Sequence, residues 1–532
     1  MSIRINNLIL DIEEETELLY KRAAIKLNIK ENHIKKLKIV KESIDARKRN
    51  NIKFNYCLDI ECDDEEKVIK SITDNDIRLE KPIVLEEIII GERKLTERPV
   101  IIGFGPAGIF ASLLLARKGY KPLIIERGEN VECRTISVEK FWKAGKLNIE
   151  SNVQFGEGGA GTFSDGKLTT KIKDRRCDFI LEEFIKAGAK EEIIYRGKPH
   201  IGTDILKDVV KNIREEIISL GGEIHFNSKL QHINYNDGRV KSIIVNDNEI
   251  PCEVLILATG HSSRDTYEML NNIGIAMEPK AFTLGVRIEH LQDFINENQY
   301  GRFAGHPRLK AADYRLVHNI KRFNRSVYSF CMCPGGEVVA AASEEKRLVT
   351  NGMSYYKRNK ENANSALVVT VNPEDFQGSS PLKGMEFQRY YEELAYNLVG
   401  DYIAPVQLVG DFLKDRRSTK LGRVMPSYRP GYEFRELSKC LPPYIIDALK
   451  IGINNFDSKI KGYGASDSVL TGIETRTSAP VKIIRNEFLE SISLKGLYPV
   501  GEGSGYAGGI ISSAIDGVKV AECIMREFSP GD

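Results

Sequence analysis

The sequence predicts an α/β protein: a domain built on a parallel sheet, split by an inserted mixed α+β domain and preceded by a small α+β unit. Three observations carry that prediction. Residues 99–134 follow a strand–turn–helix–strand pattern. Residues 496–526 return to the same style, with a strand, a glycine-rich loop and a helix. Between them, from 274 to about 466, the texture changes to mixed strands and long polar loops. The expected boundaries are 1–90 for the N-terminal unit, 96–275 and 467–532 for the two parts of the parallel-sheet domain, and 276–466 for the insert. A chain of 532 residues is about three and a half times the ~150-residue length of one domain, so it has room for all three.

Composition narrows the function classes. The 77 basic residues are matched by 75 acidic ones, which argues against a general polyanion binder. No apolar run approaches the ~20 residues that a bilayer span requires. The N-terminus enters an acidic segment, Asp11 to Glu17, and lacks the layout of a signal peptide. Nine cysteines without a CxxC pair argue against a disulfide scaffold, a zinc ribbon or an iron–sulfur cluster. No metal site is expected, and a reduced, cytoplasmic setting is.

In the N-terminal unit, residues 3–10 are strand-like, 13–27 follow a helical period, 34–40 and 52–60 alternate as strands, and 65–72 form a short helix. Twelve Lys/Arg and three acidic residues lie between Lys21 and Lys53, a pattern that suits RNA or a phosphorylated partner. Over residues 1–80, however, 16 basic residues meet 17 acidic ones, so the run reads foremost as a solvated face. A mixed stretch over 79–98 leads into the main body.

Glycine placement carries the chemistry. Thirteen of the 44 glycines fall in three short stretches, 103–108, 156–166 and 501–509. Glycine is needed where backbone takes positive φ or approaches a ligand closely, so three clusters suggest one extended ligand touched from several sides. In the first, the buried strand Val100-Ile101-Ile102 runs into Gly103-Phe104-Gly105-Pro106-Ala107-Gly108 and a helix. Gly103 permits the tight turn, Gly105 lets backbone approach a pyrophosphate, and Gly108 allows close helix–strand packing. The helix start, at Pro106 and Ala107, offers unpaired N–H groups and a positive dipole end to phosphate oxygens. Glu126 closes the next strand, 23 residues after Gly103, spaced to accept hydrogen bonds from ribose hydroxyls.

The second stretch, Gly156-Glu157-Gly158-Gly159-Ala160-Gly161, matches the same pattern without a buried strand before it or a helix after it. It is expected to be a backbone-rich loop at the far end of the same ligand. The third stretch separates FAD from NAD. A strand at 497–500 enters the 501–509 loop and a helix starts at Ile510, aiming a second helix N-terminus at the cofactor. Reduced flavin carries negative charge near N1 and the C2 carbonyl, which that dipole stabilises. Ala258-Thr259-Gly260 adds another close approach of backbone. The segment over 203–220 reads as a helix before short strands at 223–226, 230–235, 240–245 and 254–258.

Taken together, these residues resemble the glutathione-reductase superfamily of FAD enzymes, in its branch with one Rossmann domain. More closely, they resemble the bacterial family of uncharacterised FAD-dependent dehydrogenases. The strings that carry this are 103–108, 151–170 (SNVQFGEGGAGTFSDGKLTT), 258–264 (ATGHSSR), 331–336 (CMCPGG), 471–480 (TGIETRTSAP) and 501–509, and the likeness spans roughly 95–530. It implies a Rossmann-like FAD-binding domain with an inserted substrate domain. It also implies FAD contacts from Gly103, Gly105, Gly108, Glu126, Gly260, Glu502 and Gly509, with Leu230 meeting adenine through backbone groups. The flanks of the three loops complete the expected cofactor set: Pro106, Ala107, Arg127, Gly158, Gly159, Gly161, Thr162, Thr259, Gly501, Gly508 and Ile510.

Catalytic candidates rest on residue chemistry. Arg476 is expected to clamp a carboxylate or stabilise an oxyanion, or else to pair with Glu474 and order the loop. Glu474 precedes it in the same polar string. In the strand-like run Arg287-Ile288-Glu289-His290, Arg287 and Glu289 share one face and His290 takes the other; His290 is a candidate proton donor. His261 follows the Thr259-Gly260 turn and is expected near cofactor. Cys331-Met332-Cys333 reads as a strand with buried, inert thiols, the alternative being a dithiol that shuttles electrons. Trp142, the single tryptophan, is expected to pack in a helix, and Arg416, Arg417 and the 426–431 loop to line the substrate opening.

The function expected is an FAD-dependent oxidoreductase, dehydrogenase or reductase, passing hydride between flavin N5 and a small molecule. NAD(P)H, lacking a Rossmann turn of its own, would serve as a transient donor through the substrate cleft. A flavoprotein acting in RNA modification and a flavin sensor with an N-terminal docking domain are the alternatives. No membrane or nucleic-acid partner is expected.

Overall fold

Five parallel strands form the sheet from which the glycine loops depart. Its order is Leu497–Pro499, Leu255–Leu257, Val100–Ile102, Leu123–Ile125 and Glu223–His225. Three of the inner strands, Val100–Ile102, Leu123–Ile125 and Leu255–Leu257, are apolar at every position because helices or a second layer cover both faces. The computed structural model describes residues 1–81 and 88–531, and these divide into two compact units. The mixed stretch expected over 79–98 lies partly outside the described residues.

In the larger unit, the helices Pro106–Arg117 and Ile510–Glu527 pack against each other. Their close approach requires Gly517, where a Cβ would lie 2.1 Å from the Ala107 carbonyl oxygen. A three-stranded antiparallel sheet, Leu230–Asn236, Arg239–Val245 and Asn248–Pro251, shares its apolar core with the parallel sheet. The helix expected over 203–220 is Thr203–Ser219, and its Leu206, Val209, Val210, Ile213 and Ile217 are buried at helical spacing.

The region between the two halves is organised by a seven-stranded sheet. Its order is Val317–Ile320, Arg325–Cys333, Asn362–Val371, Phe282–Leu291, Val469–Glu474, Ala404–Leu408 and Tyr432–Phe434. Neighbours are antiparallel except the last pair. The sheet continues to Glu474, past the expected boundary at 466. Two long helices, Lys383–Val399 and Pro443–Lys459, stand where strands and loops were expected. In the second, Ile445, Leu449, Gly452, Ile453 and Phe456 are buried at helical spacing, a period that the surrounding polar residues dilute. Trp142 is in a helix, Val131–Ala144, and its indole N–H donates to the Ala340 carbonyl at 2.9 Å.

Of the described residues, the smaller unit holds 1–81, 190–200 and 293–312. Its antiparallel sheet has the order Ile34–Asp45, Lys53–Cys62, Ser2–Asp11 and Ile77–Glu80, the last a strand that the sequence reading lacks. The helix expected over 13–27 begins only at Leu18; Glu14 is instead held in a turn, its N–H donating to the Asp11 carbonyl and its carboxylate accepting from Asp11 N–H. The two later segments lie beyond the expected boundary at 90 and are drawn in by specific bonds. Glu42 N–H donates to the Tyr195 carbonyl and Gly197 N–H to that of Glu42. The Arg308 guanidinium lies 4.2 Å over the Phe54 ring and donates to the Ile12 carbonyl. Among the described residues no helix is long and apolar enough to cross a membrane.

Candidate functional site

The first glycine turn leaves the Val100–Ile102 strand at Gly103, with φ +97, and a Cβ there would lie 2.4 Å from the Ala258 carbonyl oxygen. At Gly108 a Cβ would lie 2.0 Å from the Gly103 oxygen, so turn and helix cannot separate to admit a side chain. The helix Pro106–Arg117 has Gly105 as its N-cap and no side-chain cap; the helix Ile510–Glu527 has Gly509 and none either. Both starts border a single cavity of about 380 Å³ at the C-terminal ends of the parallel strands. Orphan N–H groups of two helices are therefore turned toward the same space.

The structure brings most of the expected cofactor residues around that cavity: Gly103, Gly105, Pro106, Ala107, Glu126, Arg127, Gly159, Gly161, Leu230, Thr259, Gly260, Gly501, Glu502, Gly508, Gly509 and Ile510. Gly108, Gly158 and Thr162 stand behind the lining. Gly108 serves the packing just described. Gly158 adopts φ +82 where a Cβ would strike the Thr162 hydroxyl, and that hydroxyl donates to the Glu157 carbonyl.

The 156–161 loop lies against the first turn rather than at the far end of the ligand. Gly158 N–H donates to the Phe104 carbonyl at 2.8 Å, and a Cβ on Gly105 would sit 3.6 Å from the Gly159 Cα. Glu126 joins the two loops. One carboxylate oxygen accepts from Phe104 N–H at 2.8 Å; the other accepts from Gly128 at 2.9 Å and Gly156 at 3.0 Å. The Arg127 guanidinium lies 4.1 Å over the Phe155 ring and bridges Glu150 and Asp265, so its charge is already matched.

The insert supplies the opposite wall with side chains. Arg476 borders the cavity but is tied to Glu392, at 3.0 Å, and to Ser343. Arg264 also holds Glu392, at 2.8 Å. Against the cost of burial, Arg264 and Arg476 keep the Glu392 carboxyl well below the usual carboxylate range. Arg476 thus does not pair with Glu474. Glu474 instead accepts from Arg287 and from the Thr350 hydroxyl, each at 3.3 Å, and burial pushes its carboxyl up to about 7. Burial likewise raises Glu502 to about 7, with Lys280 opposing.

His290 is not brought to the cavity. The Phe282–Leu291 strand turns it to the other face, where its Nε2 meets the Tyr463 carbonyl at 2.8 Å and its ring packs on Tyr463. Burial pulls it down to about 4, which removes it as a proton donor at the site. His261 does border the cavity, pushed down to about 3 by burial and by Arg476 and Arg264. Arg416 pairs with Asp411 and Arg417 donates to the Phe434 carbonyl; neither borders the cavity, nor does the 426–431 loop.

Sequence reasoning missed Lys167 as a lining residue, and underweighted Cys331. Lys167 stands inside the 151–170 string, where glycine spacing drew the attention. Asp165, at 2.9 Å, keeps its ammonium charged despite burial. Cys331 borders the cavity at the end of the Arg325–Cys333 strand. The neighbouring Cys333, with Lys167 and Arg287, holds the Cys331 thiol below its ordinary value against burial, and the Cys333 thiol donates to the Cys331 carbonyl at 3.3 Å.

Residues 97–294 match the family model "pyridine nucleotide-disulphide oxidoreductase", and residues 281–477 match "FAD-dependent protein, C-terminal domain-like". Residues 2–61 match a domain of unknown function, DUF8436. A protein of Clostridium beijerinckii described as uncharacterized is 62% identical over 529 residues, 99% of each chain. Among solved structures, glycine oxidase from Geobacillus kaustophilus is 10% identical, with a TM-score of 0.36 over 82% of this chain and 96% of that one. CtdE in complex with FAD is 13% identical, with a TM-score of 0.30 over 79% and 82%.

Proposed function

The chain belongs to the family of FAD-dependent oxidoreductases, and on that premise we propose that it is an enzyme that binds FAD in the cavity and oxidises or reduces a small molecule there. One observation carries the reading: two helix starts, each with glycine at the N-cap and no side-chain cap, border the same space. Such a pair suits a ligand with a diphosphate at one end and a ring that gains negative charge at the other. The glycines fit the group as well. A Cβ on Gly260, Gly508 or Gly509 would meet nothing within 4 Å, so backbone there is open to a ligand.

The 103–108 loop and the start of the Pro106–Arg117 helix would hold the pyrophosphate, and Glu126 the adenosine ribose. Its oxygen facing Phe104 accepts only one protein N–H and keeps a lone pair for a ribose hydroxyl. Leu230 borders the adenine side. Glu502, Gly509 and the start of the Ile510–Glu527 helix would face the flavin. When bound, FAD supplies two-electron chemistry through hydride exchange at N5. The chain supplies the rest. The insert wall excludes water, Arg476 is held rigid by Glu392, and Glu474 with Arg287 offers a buried carboxyl that holds or releases a proton near neutral pH. NAD(P)H is proposed as a transient donor using the substrate side of the same cavity.

The test is spectroscopic. Purified protein, or apoprotein given FAD, should show the flavin absorbance bands and retain them on gel filtration. Anaerobic addition of NADH, NADPH and a metabolite panel should bleach those bands with at least one compound. A colourless protein that takes up no FAD would remove the proposal.

A further inference from the structure

Four Lys and Arg side chains line the cavity, and three of them have carboxylates enough. Arg127 and Lys229 share Glu150 and Asp265. Arg476 and its neighbour Arg264 share Glu392 and Glu344. The fourth, Lys167, is matched differently. Among the described residues, it and Arg358 meet one carboxylate between them, that of Asp165. The lining carboxyls Glu474 and Glu502 face cations of their own, Arg287 and Lys280.

Asp165 is committed to this pair. Its Oδ1 accepts from Arg358 Nε at 3.0 Å and from the Ser354 hydroxyl. Its Oδ2 meets the Arg358 guanidinium at 2.5 Å and the Lys167 ammonium at 2.9 Å. Lys167 also donates to the Met332 carbonyl, where the Arg325–Cys333 strand bulges and loses register against Asn362–Val371. An ammonium has three N–H donors, and these oxygens take two. Asp165 is buried, whereas 28% of the Lys167 side chain is exposed and the residue borders the cavity. Thr169 is exposed and borders it too, so this segment runs from the interior to the mouth.

The positive charge left over is felt nearby. After Cys333, the cations Lys167 and Arg287 hold the Cys331 thiol below its ordinary value. Asn351 lines the same cavity; its side-chain oxygen accepts from Gly352 N–H at 2.8 Å, which leaves its amide N–H groups for a ligand. A buried cation without a carboxylate of its own is costly, and an anion in the cavity removes that cost. In the reading above, the negative groups of FAD go elsewhere, the diphosphate to the 103–108 turn and the ring to the Ile510 helix start.

We propose that Lys167 anchors a carboxylate of the small-molecule substrate, with the Asn351 amide as a second donor, an inference that rests on the flavin reading. A surplus of one positive charge suits a carboxylate better than a phosphate monoester, which carries about −1.5 to −2 near neutral pH. Arg358 and Ser354 are positioning residues: they fix Asp165, and Asp165 orients Lys167.

Full-length protein carrying FAD is titrated with benzoate, with benzamide as its uncharged counterpart and with inorganic phosphate, and flavin absorbance is followed. Calorimetry with the same three compounds reads binding without relying on the flavin. Benzoate should perturb the flavin bands saturably and bind at least about tenfold more tightly than benzamide or phosphate, the worth of one charge-assisted hydrogen bond over a neutral one. Lys167→Met should keep its FAD and lose the preference for benzoate. Equal affinities for benzoate and benzamide in the wild type, or binding of neither, would overturn the carboxylate site without recourse to a variant. A preference that survives in Lys167→Met would overturn the role of Lys167. Phosphate binding as tightly as benzoate would overturn the choice of anion. A protein that takes up no FAD, yet prefers benzoate in calorimetry, would overturn the flavin reading and leave the anion site.

Discussion

The two walls of the cavity are made of different material. The parallel-sheet side is backbone: glycine turns, two helix starts and a single carboxylate that ties the loops together. The other side is side chain: Arg476, Glu474 and Cys331 at the surface with Arg287 and Glu392 buried behind, joined by Lys167 and Arg264 from the parallel-sheet domain. A backbone wall holds a ligand by shape and dipole, and its one lining carboxyl raised toward neutral is Glu502, at about 7. The side-chain wall adds Glu474, also at about 7, beside the Arg287 guanidinium. Backbone contacts thus concentrate on one side and side-chain ion pairs on the other.

The largest effect should come from the buried charges of the insert side. Glu392→Ala would leave Arg264 and Arg476 with Glu344 as their one remaining shared carboxylate, and denaturant unfolding should report a loss of about 3–5 kcal/mol. On the backbone side, Gly108→Ala should weaken FAD retention by at least about tenfold, since its methyl would meet the Gly103 oxygen. The ratio of flavin to protein absorbance after gel filtration measures this. Retention as in the wild type would show that the turn is not what holds the cofactor.

A subtler effect separates the walls by pH. Burial raises Glu474 from 4.5 to about 7, so the folded protein keeps a proton that the unfolded chain releases. Its contribution to stability is therefore present below about 4.5 and is lost as pH rises toward about 7. In Glu474→Gln, thermal unfolding between pH 5 and 8 should be flatter than in the wild type. An unchanged slope would show that the carboxylate is charged throughout. The smallest effect is expected for His290→Gln, which should leave flavin retention and turnover unchanged and cost about 1 kcal/mol, the scale of one hydrogen bond.

The division also explains how much was legible beforehand. Gly103, Gly105, Gly108 and Glu126 act through local geometry, and their spacing in one β–α–β stretch is enough to find them. The helix start at Ile510 was readable for the same reason. The Arg264–Glu392–Arg476 cluster was not, because its members come from the helix Arg264–Asn272, the helix Lys383–Val399 and the loop after the strand Val469–Glu474. Chain spacing carries no record of such a meeting. Pairing with Glu474 was one of two readings of Arg476, yet each found a partner far away in sequence. His290 failed as a site residue through strand alternation: Arg287, on the opposite face, reaches the site's wall while His290 enters the packing around Tyr463. Cys331 looked like an ordinary strand cysteine because a bulge leaves no mark in the residue pattern.

The most direct measurement is a titration of apoprotein with FAD and, separately, with FMN, followed by quenching of flavin fluorescence. If the 103–108 turn, its helix start and Glu126 hold the adenosine half, FAD should bind at about one per chain and at least about a hundredfold more tightly than FMN, a difference of ~2.7 kcal/mol. Equal affinities for the two flavins, or no binding of either, would contradict that assignment.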